Sequence, residues 1–317
     1  MSGLSKVLSE DPLWANMDAV KFYFETQPLP QVGAWYAHLL PDWILRAGTG
    51  FTLFAELLVP FLIFLPRKFR IFAAVVTISL QLAIIATSNH NFINLMTIML
   101  CLFLLDDRIV DKLLPRKTAA NIRSHAKPMG RLYAPASVAT TLIVLLGTLP
   151  LATLYFTRTE QPTLMQVSNT IRPFGLGNIY HVFPTMQTER QELDIQGSND
   201  GTHWESYIFR YKPGALNRAP AFIIPHQPRL DWMMWFVPAR FDRDAVWFNR
   251  LLEAIAENRQ PVMDLMANNP FPDQPPRYLR VLAWDYRFTS NEERKESGNW
   301  WQAEILGQFP NVPIRRP

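Results

Sequence analysis

Four long apolar stretches in the first half of the chain determine the solvent in which it folds. They lie at Trp43–Leu65, Ile71–Thr87, Phe92–Leu105 and Ser137–Phe156, and no stretch of comparable length follows Thr157. The mean hydropathy of -0.01 averages the two halves and hides this difference. A helical crossing of a bilayer needs about 20 predominantly apolar residues, because backbone groups in lipid must be hydrogen-bonded within the segment. The pattern predicts a multi-span α-helical membrane domain followed by a soluble α+β domain that is rich in β-structure.

The hydropathy break near Thr157 also supplies the domain boundaries within the 317 residues. Residues 1–42 are predicted to form an extracytoplasmic lead-in segment. Residues 43–157 are predicted to form a transmembrane helical domain with about four spans, and residues 158–317 a soluble extracytoplasmic C-terminal β-rich domain.

Basic residues are distributed unevenly between the predicted spans. The turn Pro66–Arg70 holds three of them and the loop Asp106–Pro135 holds seven, whereas the connection Ser88–Asn91 holds none. Cytoplasmic loops carry the excess of Lys and Arg in membrane proteins, so both basic segments are predicted to be cytoplasmic. The lead-in, the His90 turn and the C-terminal domain are then predicted to lie on the opposite, extracytoplasmic side of the membrane. The lipid bilayer is the expected contact of the basic loop, and no nucleic-acid partner is expected.

The predicted C-terminal domain opens with a hairpin. Glu192–Gln196 and Trp204–Tyr211 are rich in β-branched and aromatic residues, and Ser198-Asn199-Asp200-Gly201 between them is typical of a turn. Apolar residues at helical spacing predict a helix over Val246–Ile255, with Asp242 or Asp244 as its cap. The remaining elements are a short helix at Pro261–Ala267, a strand at Tyr278–Phe288 and a last element at Trp300–Ile305.

No catalytic residue is assigned from the sequence, but three polar residues of the membrane half are candidates for a catalytic site. Glu56 lies near the middle of the first predicted span, and an ionisable residue at that depth is a functional hypothesis by default. His90 and Asn94 lie on the outer side of the next hairpin. The structural alternative is that Glu56 pairs with Arg46 or with a neighbouring helix.

Polar and aromatic residues of two segments in the C-terminal half are candidates for binding a partner, because Arg and Trp are common anchors of interfaces. These residues are His226, Arg229, Asp231, Trp232, Trp235, Trp300 and Trp301. The structural alternative is an ordered turn with an internal pair between Arg229 and Asp231 and with buried tryptophans.

Common catalytic and metal-binding spacings are missing from the sequence. The single cysteine, Cys101, excludes an intrachain disulfide and a dithiol redox pair. No Gly-x-Ser-x-Gly, His-Glu-x-x-His or phosphate-loop pattern occurs, and the six histidines do not share a ligand spacing. No metal site and no cofactor are expected, and we expect a protein that is not an enzyme.

Several long blocks, in the same order, resemble those of the lipase maturation factor family over essentially the whole chain. These blocks are Phe24–Pro28 (Phe-Glu-Thr-Gln-Pro), Ala55–Phe61, Asn91–Thr97 with Asp106-Asp107, Tyr211–Gly214, Arg229–Phe236, Asn268–Phe271 and Trp300-Trp301. The resemblance implies a membrane-anchored maturation or folding factor, a chaperone-like protein for secreted clients. In animals its C-terminal domain would face the endoplasmic reticulum lumen, where the family helps lipases of the lipoprotein lipase type to fold and form active dimers.

The chain is similar to a bacterial-type member, which implies an inner-membrane protein whose C-terminal domain lies in the periplasm. It begins almost at the Glu-Thr-Gln-Pro block, so it is expected to be N-terminally shortened relative to the family. Two alternatives stay open. The membrane part also looks distantly like that of the vitamin K-dependent carboxylases, which implies a membrane enzyme with an intramembrane polar site. The hairpin Gly197–Trp204 looks somewhat like those of glycan-binding modules, which implies glycan or lipid binding.

Overall fold

The computed structural model describes residues 2–90, 92–106, 108–109, 112, 115, 117–118, 121, 133–159, 161–176 and 181–310. Most of the predicted basic loop lies outside them, as do Asn91 and Asp107 of the family blocks. The chain forms two compact units. The first comprises Met1–Ala15, Thr52–Ala74 and Leu102–Thr185, and the second comprises Asn16–Phe51, Val75–Cys101 and Met186–Pro317. Each unit therefore combines segments that are distant in sequence.

Helices form most of the described part of the first 176 residues. In chain order they are α1 (Ser2–Leu8), α2 (Pro12–Ala15), α3 (Ala19–Thr26), α4 (Val32–His38), α5 (Asp42–Leu57), α6 (Val59–Leu62), α7 (Arg67–Thr87), α8 (Phe92–Cys101), α9 (Tyr133–Thr157) and α10 (Pro162–Ile171). Single 3-10 turns follow α8 at Leu102–Leu104 and α10 at Arg172–Phe174.

Among the described residues, α7 and α9 are the two helices that are long and apolar enough to cross a membrane. Large apolar side chains such as Val75 and Leu142 are exposed along them, as expected of lipid-facing surfaces. They coincide with the predicted spans at Ile71–Thr87 and Ser137–Phe156.

The other two predicted spans are shorter in the structure. The stretch Trp43–Leu65 is divided between α5 and α6, because Pro60 in the first turn of α6 has no N–H to continue the helical hydrogen bonding of α5. The stretch Phe92–Leu105 forms only α8 and a 3-10 turn. The described residues thus show a transmembrane-type region with two helices of spanning length, and about four spans stays a prediction.

Antiparallel sheets dominate the C-terminal part of the chain. Its elements are β1 (Arg190–Ser198), β2 (Glu205–Ser206), β3 (Ile208–Phe209), α11 (Arg229–Met234), α12 (Phe241–Ala256), α13 (Gln260–Met263), β4 (Met266–Asn268), β5 (Tyr278–Phe288), α14 (Asn291–Ser297) and β6 (Trp301–Gln308). The larger sheet has the strand order β2-β1-β5-β6, and β3 pairs with β4 in a second sheet. All these pairings are antiparallel.

The predicted elements of this part are confirmed with three corrections. The strand Tyr278–Phe288 is β5 and the predicted last element is β6. The predicted strand Trp204–Tyr211 is divided, because β2 pairs with β1 whereas β3 leaves to pair with β4. The predicted helix at Pro261–Ala267 ends at Met263, since the chain then enters β4.

The third correction concerns the start of α12. Its first turn follows Arg240, which supplies no side-chain cap, so neither Asp242 nor Asp244 is the cap. Asp244 instead accepts a hydrogen bond from the indole N–H of Trp247 over 3.0 Å. A carboxylate inside the first turn still interacts favourably with the helix dipole.

The two faces of the larger sheet pack against different parts of the second unit, because alternate strand residues point to opposite faces. One face carries apolar residues of β1 and β5 against α12; the central members of this cluster are Leu193, Ile195, Val281, Ala283, Phe248, Leu251 and Ile255. The other face packs against α3 and α4; this cluster includes Tyr286, Phe288, Trp301, Phe24 and Trp35. The lead-in is thus part of the core that the β-strands build.

Candidate functional site

One buried arginine holds the Phe-Glu-Thr-Gln-Pro segment. Arg190, the first residue of β1, is 1% exposed. Its guanidinium donates hydrogen bonds to the carbonyl oxygens of Glu25 over 2.9 Å, of Gln27, and of Pro28 over 3.0 Å. The rigid fork of donors suits several acceptors at once. The segment that follows α3 is therefore tied to the larger sheet by its backbone.

Glu192 compensates the buried charge of Arg190. One carboxylate oxygen of Glu192 accepts from Arg190 over 2.6 Å, and the other pairs with the Lys212 ammonium over 2.8 Å. Lys212 also donates to the carbonyl oxygens of Leu193 and Pro213. Buried charges need partners because desolvation is costly. These three charged side chains form a closed network that fixes the start of β1.

Glu25 adds a second tie between the lead-in and the sheet. Its carboxylate accepts a hydrogen bond from the backbone N–H of Phe288 over 2.6 Å and lies 3.8 Å from the imidazole of His38. Burial raises the pKa of Glu25, and this effect outweighs the hydrogen bond from Phe288, which lowers it. The geometry makes Glu25 a structural group that positions the end of β5.

Side-chain amides of the lead-in cover the C-terminal end of α7. Gln27 donates to the carbonyl oxygen of Thr87 over 3.0 Å, and Gln31 donates to that of Ile85 over 2.5 Å. The last carbonyl groups of a helix have no partner within the helix, so these amides satisfy acceptors that would otherwise need water. The lead-in is thereby fixed to the end of a membrane-type helix.

Asn89, just beyond α7, joins three segments. Its amide N–H groups donate to the carbonyl oxygens of Leu29 over 3.1 Å and of Ala221 over 2.8 Å. Its amide oxygen accepts from the backbone N–H of Ile223 over 3.1 Å. The side chain is 2% exposed, so the connection after α7, the lead-in and the loop before α11 are held together by one buried amide.

The candidate His90 forms a pair with Tyr23, and both residues are half-buried. The Tyr23 hydroxyl lies 2.5 Å from the Nε2 atom of His90 and 2.7 Å from the Ser88 hydroxyl. The rings of His90 and Trp232 meet in an edge-to-face arrangement with their centroids 6.0 Å apart. Burial lowers the pKa of His90 to about 4 and raises the pKa of Tyr23. Both groups are therefore neutral at pH 7.

The candidate Glu56 lies in a different environment. It forms an ion pair of 2.7 Å with Lys6, a buried residue of α1. The expected pair with Arg46 is wrong, because Arg46 binds Asp18 and ten residues of helix separate Arg46 from Glu56 by about 15 Å. The other structural alternative, a pair with a neighbouring helix, is the one observed.

The three membrane-half candidates each have a separate partner. Asn94 donates to the side-chain oxygen of Gln81 over 2.7 Å, Glu56 pairs with Lys6, and His90 pairs with Tyr23. A membrane enzyme of the kind considered above needs one polar cavity that joins them, and the contacts of the described residues do not support it. Nor do the described residues contain a group of three His, Cys, Asp or Glu side chains that could hold a metal ion.

Asp231 is the buried anchor of the candidate partner-binding segment. It is 3% exposed, and its Oδ1 atom accepts hydrogen bonds from the backbone N–H groups of Tyr211 over 2.8 Å and Lys212 over 2.9 Å. No ion pair of the described residues joins it to Arg229, so the expected internal pair is wrong. The carboxylate in the first turn of α11 thus holds the backbone of the segment at Tyr211 and Lys212.

The tryptophans of the same segment attach it to the lead-in. Trp235 donates its indole N–H to the carbonyl oxygen of Thr26 over 2.8 Å, and Trp232 faces His90. Both tryptophans are half-buried. By contrast, His226 and Arg229 are exposed, and the His226 ring lies 5.4 Å from the ring of Tyr211. Two members of the predicted partner-binding set therefore remain at the surface of this segment.

Trp300 and Trp301 lie in the core. Trp301 is 1% exposed and stacks on Phe288 with ring centroids 4.3 Å apart. Trp300 is 9% exposed, meets Trp35 edge to face at 5.4 Å, and carries the Arg294 guanidinium 3.5 Å from its ring centroid. A partner contact through these two rings stays a prediction.

The hairpin considered for glycan binding uses its polar groups internally. Asp200 accepts from the backbone N–H groups of Thr202 and His203, each over 2.8 Å. The Arg280 guanidinium lies 4.1 Å from the ring centroid of Trp204 and occupies one face of that ring. The glycan alternative is not supported.

Sequence reasoning missed the network of Arg190, Glu192 and Lys212. A signal was present, because Arg190 and Glu192 are two residues apart in a strand and so share one face. Charged residues on a face that also carries aromatic side chains indicate a buried ion pair. The partner of that face, the lead-in, is not adjacent in sequence, which is why the pattern was not recognised.

Comparison with known proteins gives consistent matches in both halves of the chain. The family model described as the lipase maturation factor transmembrane domain matches residues 1–112, and that of the lipase maturation factor C-terminal domain matches residues 176–311. Lipase maturation factor 2 of Rattus norvegicus is 29% identical over an alignment that covers 100% of this chain and 59% of the relative. Lipase maturation factor 2 of Homo sapiens is 28% identical, with 100% and 58% covered.

Lipase maturation factor 1 of Mus musculus is 31% identical over 97% of this chain and 57% of the relative. The chain thus spans somewhat less than three fifths of the length of these curated relatives. No solved structure matches it. A transmembrane-type helical region followed by a domain of antiparallel sheets defines a membrane protein with a folded C-terminal domain. Since two models of one family together match most of its residues, the chain belongs to the lipase maturation factor family.

Proposed function

We propose that this chain is a membrane-anchored maturation factor that helps secreted clients of the lipase type to reach their active form. The observation that carries the proposal is the match of both family domains, in order, over residues 1–112 and 176–311. The relatives are named for lipase maturation. The sequence offers no catalytic spacing, which favours a binding role over an enzymatic one.

The geometry of the second unit suits such a role. Arg190 and Asn89 tie the lead-in to the sheet and to the loop before α11, and Gln27 ties it to the end of α7. A domain held at the end of a membrane-type helix presents its exposed residues at a constant distance from that end. A client that folds near a membrane would meet a pre-organised surface, which reduces the entropy cost of binding.

The exposed part of the His226–Trp235 segment is the client-binding surface that we propose. Asp231 and Trp235 hold this segment through partly buried hydrogen bonds with the backbone of Tyr211 and Thr26, so the exposed His226 and Arg229 are displayed on a rigid support. An arginine on a rigid support loses less side-chain entropy when it binds a partner. Trp232 is half-buried and supplies apolar area beside them.

Co-expression tests the proposal. A secreted lipase of the lipoprotein lipase type is produced in cells that lack a maturation factor, with and without the chain, and the ratio of lipase activity to lipase protein is measured. We expect the ratio to rise with the chain. The double variant His226→Ala/Arg229→Ala should lose most of this rise, while Arg259→Ala, an exposed arginine of another loop, should keep it. An unchanged ratio with the unmodified, folded chain contradicts the proposal.

We also propose about four crossings, with the shorter helices α5 and α8 contributing to the membrane region. Both chain ends then lie on the same, extracytoplasmic side, which is the periplasm in a bacterium or the endoplasmic reticulum lumen in a eukaryote. The support is the charge of Arg67, Lys68 and Arg70 in the first turn of α7, because the cytoplasmic ends of membrane helices and their loops are rich in such residues.

The single native cysteine makes this orientation easy to test. In a Cys101→Ser background, Asn199→Cys in the β1–β2 turn and Ser9→Cys in the lead-in are labelled with a membrane-impermeant maleimide on intact cells or on sealed microsomes of known sidedness. We expect both positions to react from the extracytoplasmic side. Reaction of only one position from that side contradicts an even number of crossings.

A further inference from the structure

One loop of the C-terminal part of the chain is composed entirely of apolar residues. Residues 219–225 read Ala-Pro-Ala-Phe-Ile-Ile-Pro, and we call them the Phe222 loop. No Asp or Glu occurs in the longer stretch between Lys212 and Leu230. Loops that face water are ordinarily polar. The composition of the Phe222 loop therefore indicates a surface that meets something other than water.

The core of the protein does not cover this loop. Phe222 is 60% exposed, and Ile223 and Ile224 are half-buried. None of the three belongs to either of the apolar clusters that the described residues build around the larger sheet. A single exposed apolar residue is ordinary, but adjacent ones mark contact with a protein or a membrane. The Phe222 loop thus presents apolar area to a partner outside the fold.

Asn89 holds the loop on both sides of Phe222. The amide of Asn89 donates to the carbonyl oxygen of Ala221 over 2.8 Å, and its oxygen accepts from the backbone N–H of Ile223 over 3.1 Å. The Asn89 side chain is 2% exposed, so water does not compete for these hydrogen bonds. A segment whose backbone is already fixed loses little conformational entropy when it meets a partner.

The same asparagine places the loop at the end of a membrane-type helix. The helix α7 has 21 residues and is therefore about 30 Å long, which matches the hydrocarbon thickness of a bilayer. Its last residue, Thr87, then lies at the edge of the hydrocarbon. Asn89 follows Thr87 by two residues, which span at most about 7 Å. Since the headgroup layer is about 5–7 Å thick on each side, the backbone held by Asn89 lies at the level of the headgroups.

Lipid fits this position better than a protein does. Phe92 at the start of α8 is 55% exposed and follows the same connection after α7, so a second aromatic ring is exposed near this level. Lys212 and Arg218 precede the Phe222 loop without any carboxylate beside them in sequence, as suits an anionic leaflet. An apolar client segment could also pack on Phe222, but it would not require the loop to lie at the end of α7.

We infer that the Phe222 loop inserts its apolar side chains into the headgroup layer of the extracytoplasmic leaflet and rests the C-terminal domain on the lipid. This inference rests on α7 crossing the membrane. It goes beyond the proposed function, which requires no contact between lipid and the C-terminal domain. Because His226 directly follows the loop, the proposed client-binding surface then lies beside the membrane.

A fluorescent label on the loop tests this inference. In a Cys101→Ser background, Phe222→Cys is labelled with the environment-sensitive fluorophore NBD. The full chain is placed in vesicles of phosphatidylcholine and phosphatidylglycerol in equal parts, with or without a nitroxide near the glycerol end of the acyl chains. The substitution removes an exposed ring, so it should leave the unfolding temperature unchanged. We expect the nitroxide to quench the label, because side chains of this kind enter the boundary between headgroups and acyl chains.

Two further labelled positions make the measurement decisive. Val246→Cys is the matched control, since Val246 is 67% exposed on α12, which packs on the face of the larger sheet opposite to α3 and α4. Leu82→Cys in α7 is the positive control, with Leu82 53% exposed. We expect quenching at position 222 to exceed that at position 246 by about twofold or more, with emission at shorter wavelength, because the headgroup boundary is less polar than water.

Three outcomes would overturn the inference. Strong quenching at position 82 with equal quenching at positions 222 and 246 would leave α7 in the membrane and the loop in water. An unquenched label at position 82 would remove the premise that α7 crosses the bilayer, and the inference with it. A label at position 222 that stays in water until a secreted lipase is added would identify a protein-docking loop instead. The lipase co-expression assay is independent of all three, because it does not depend on where the loop lies.

Discussion

Arg190 donates a hydrogen bond from its guanidinium to the carbonyl oxygen of Pro28 over 3.0 Å, across 162 residues of sequence. This contact joins the lead-in to the first strand of the larger sheet. Because Arg190 also binds Glu192, the charge needed to hold the lead-in is compensated inside the protein. The lead-in and the sheet are therefore expected to fold as one cooperative structure.

Replacement of Arg190 should strongly destabilise the second unit. Arg190→Met fills similar space but leaves the carbonyl oxygens of the lead-in without donors and Glu192 with Lys212 as its remaining cation. Breaking a buried ion pair typically costs about 3–5 kcal/mol in the free energy of unfolding. Denaturation of the detergent-purified chain, followed by tryptophan fluorescence, measures this loss.

Arg259→Met is the matched control for that measurement. Arg259 is 58% exposed and pairs with Glu257, which is 55% exposed, so its loss should change the free energy of unfolding by about 1 kcal/mol or less. Equal stability of the Arg190 and Arg259 variants would show that the buried network does not hold the lead-in.

Gly33 should be intolerant of any side chain, because its backbone lies against the end of α7. A Cβ atom at this position would lie 1.8 Å from the carbonyl oxygen of Ala86. Gly33→Ala should therefore separate α4 from α7 and lower the unfolding temperature. No atom of the described residues lies within 4 Å of a Cβ placed on Gly50 in the middle of α5, so Gly50→Ala should be neutral or stabilising by up to about 1 kcal/mol. Thermal unfolding of both variants in the same detergent measures the contrast, and a harmless Gly33→Ala would contradict the close contact.

Local signals in the sequence predicted those parts of the fold that depend on neighbouring residues. The alternation of Tyr278–Phe288 predicted β5, because a half-buried strand repeats every two residues. The apolar run Ile71–Thr87 predicted α7, because helices in lipid need long uninterrupted segments. Pro60 accounts for the break after α5, because it removes a helical hydrogen bond.

Contacts between distant segments could not be predicted in the same way. Trp35 has the sequence context of an interfacial residue before an apolar stretch, yet it is 3% exposed and donates to the carbonyl oxygen of Thr289. The sequence around Arg190 does not reveal that Pro28 is its partner. Both contacts depend on the lead-in packing against the strand β5 and its neighbours, and this arrangement leaves no periodic pattern in the chain.

Lower pH should destabilise the second unit through His90. Its folded-state pKa is lowered from 6.5 to about 4, so the folded protein keeps the imidazole neutral while the unfolded chain takes up a proton below pH 6.5. This contribution to stability is complete above pH 6.5 and is lost as the pH falls towards 4, with a total of about 3 kcal/mol in the free energy of unfolding. The unfolding temperature, measured in detergent, should therefore decrease as the pH is lowered from 8 to 5.

The variant His90→Gln isolates this effect, because Gln can accept the hydrogen bond of Tyr23 and does not titrate. Glu25 acts in the opposite direction, since its raised pKa favours the folded state below its ordinary pKa and less so as the pH rises through its folded value. Because Glu25 is present in both His90→Gln and the unmodified chain, the difference between their pH profiles cancels its contribution. Parallel pH profiles of His90→Gln and the unmodified chain would contradict a neutral His90 in the folded protein.

Trp43 and Trp35 should respond oppositely to lipid, although both lie close in sequence to the start of the first apolar stretch. Trp43 is 71% exposed at the start of α5, whereas Trp35 is 3% exposed in the core. Brominated lipid quenches tryptophans that contact the bilayer, and tryptophan favours the headgroup region. In vesicles with such lipid, Trp43→Phe should therefore lower the fraction of tryptophan fluorescence that is quenched. Trp35→Phe should leave the quenched part unchanged and lower the free energy of unfolding by about 1–3 kcal/mol, because the carbonyl oxygen of Thr289 loses its buried donor. Equal quenching of the two variants would contradict a membrane-facing Trp43.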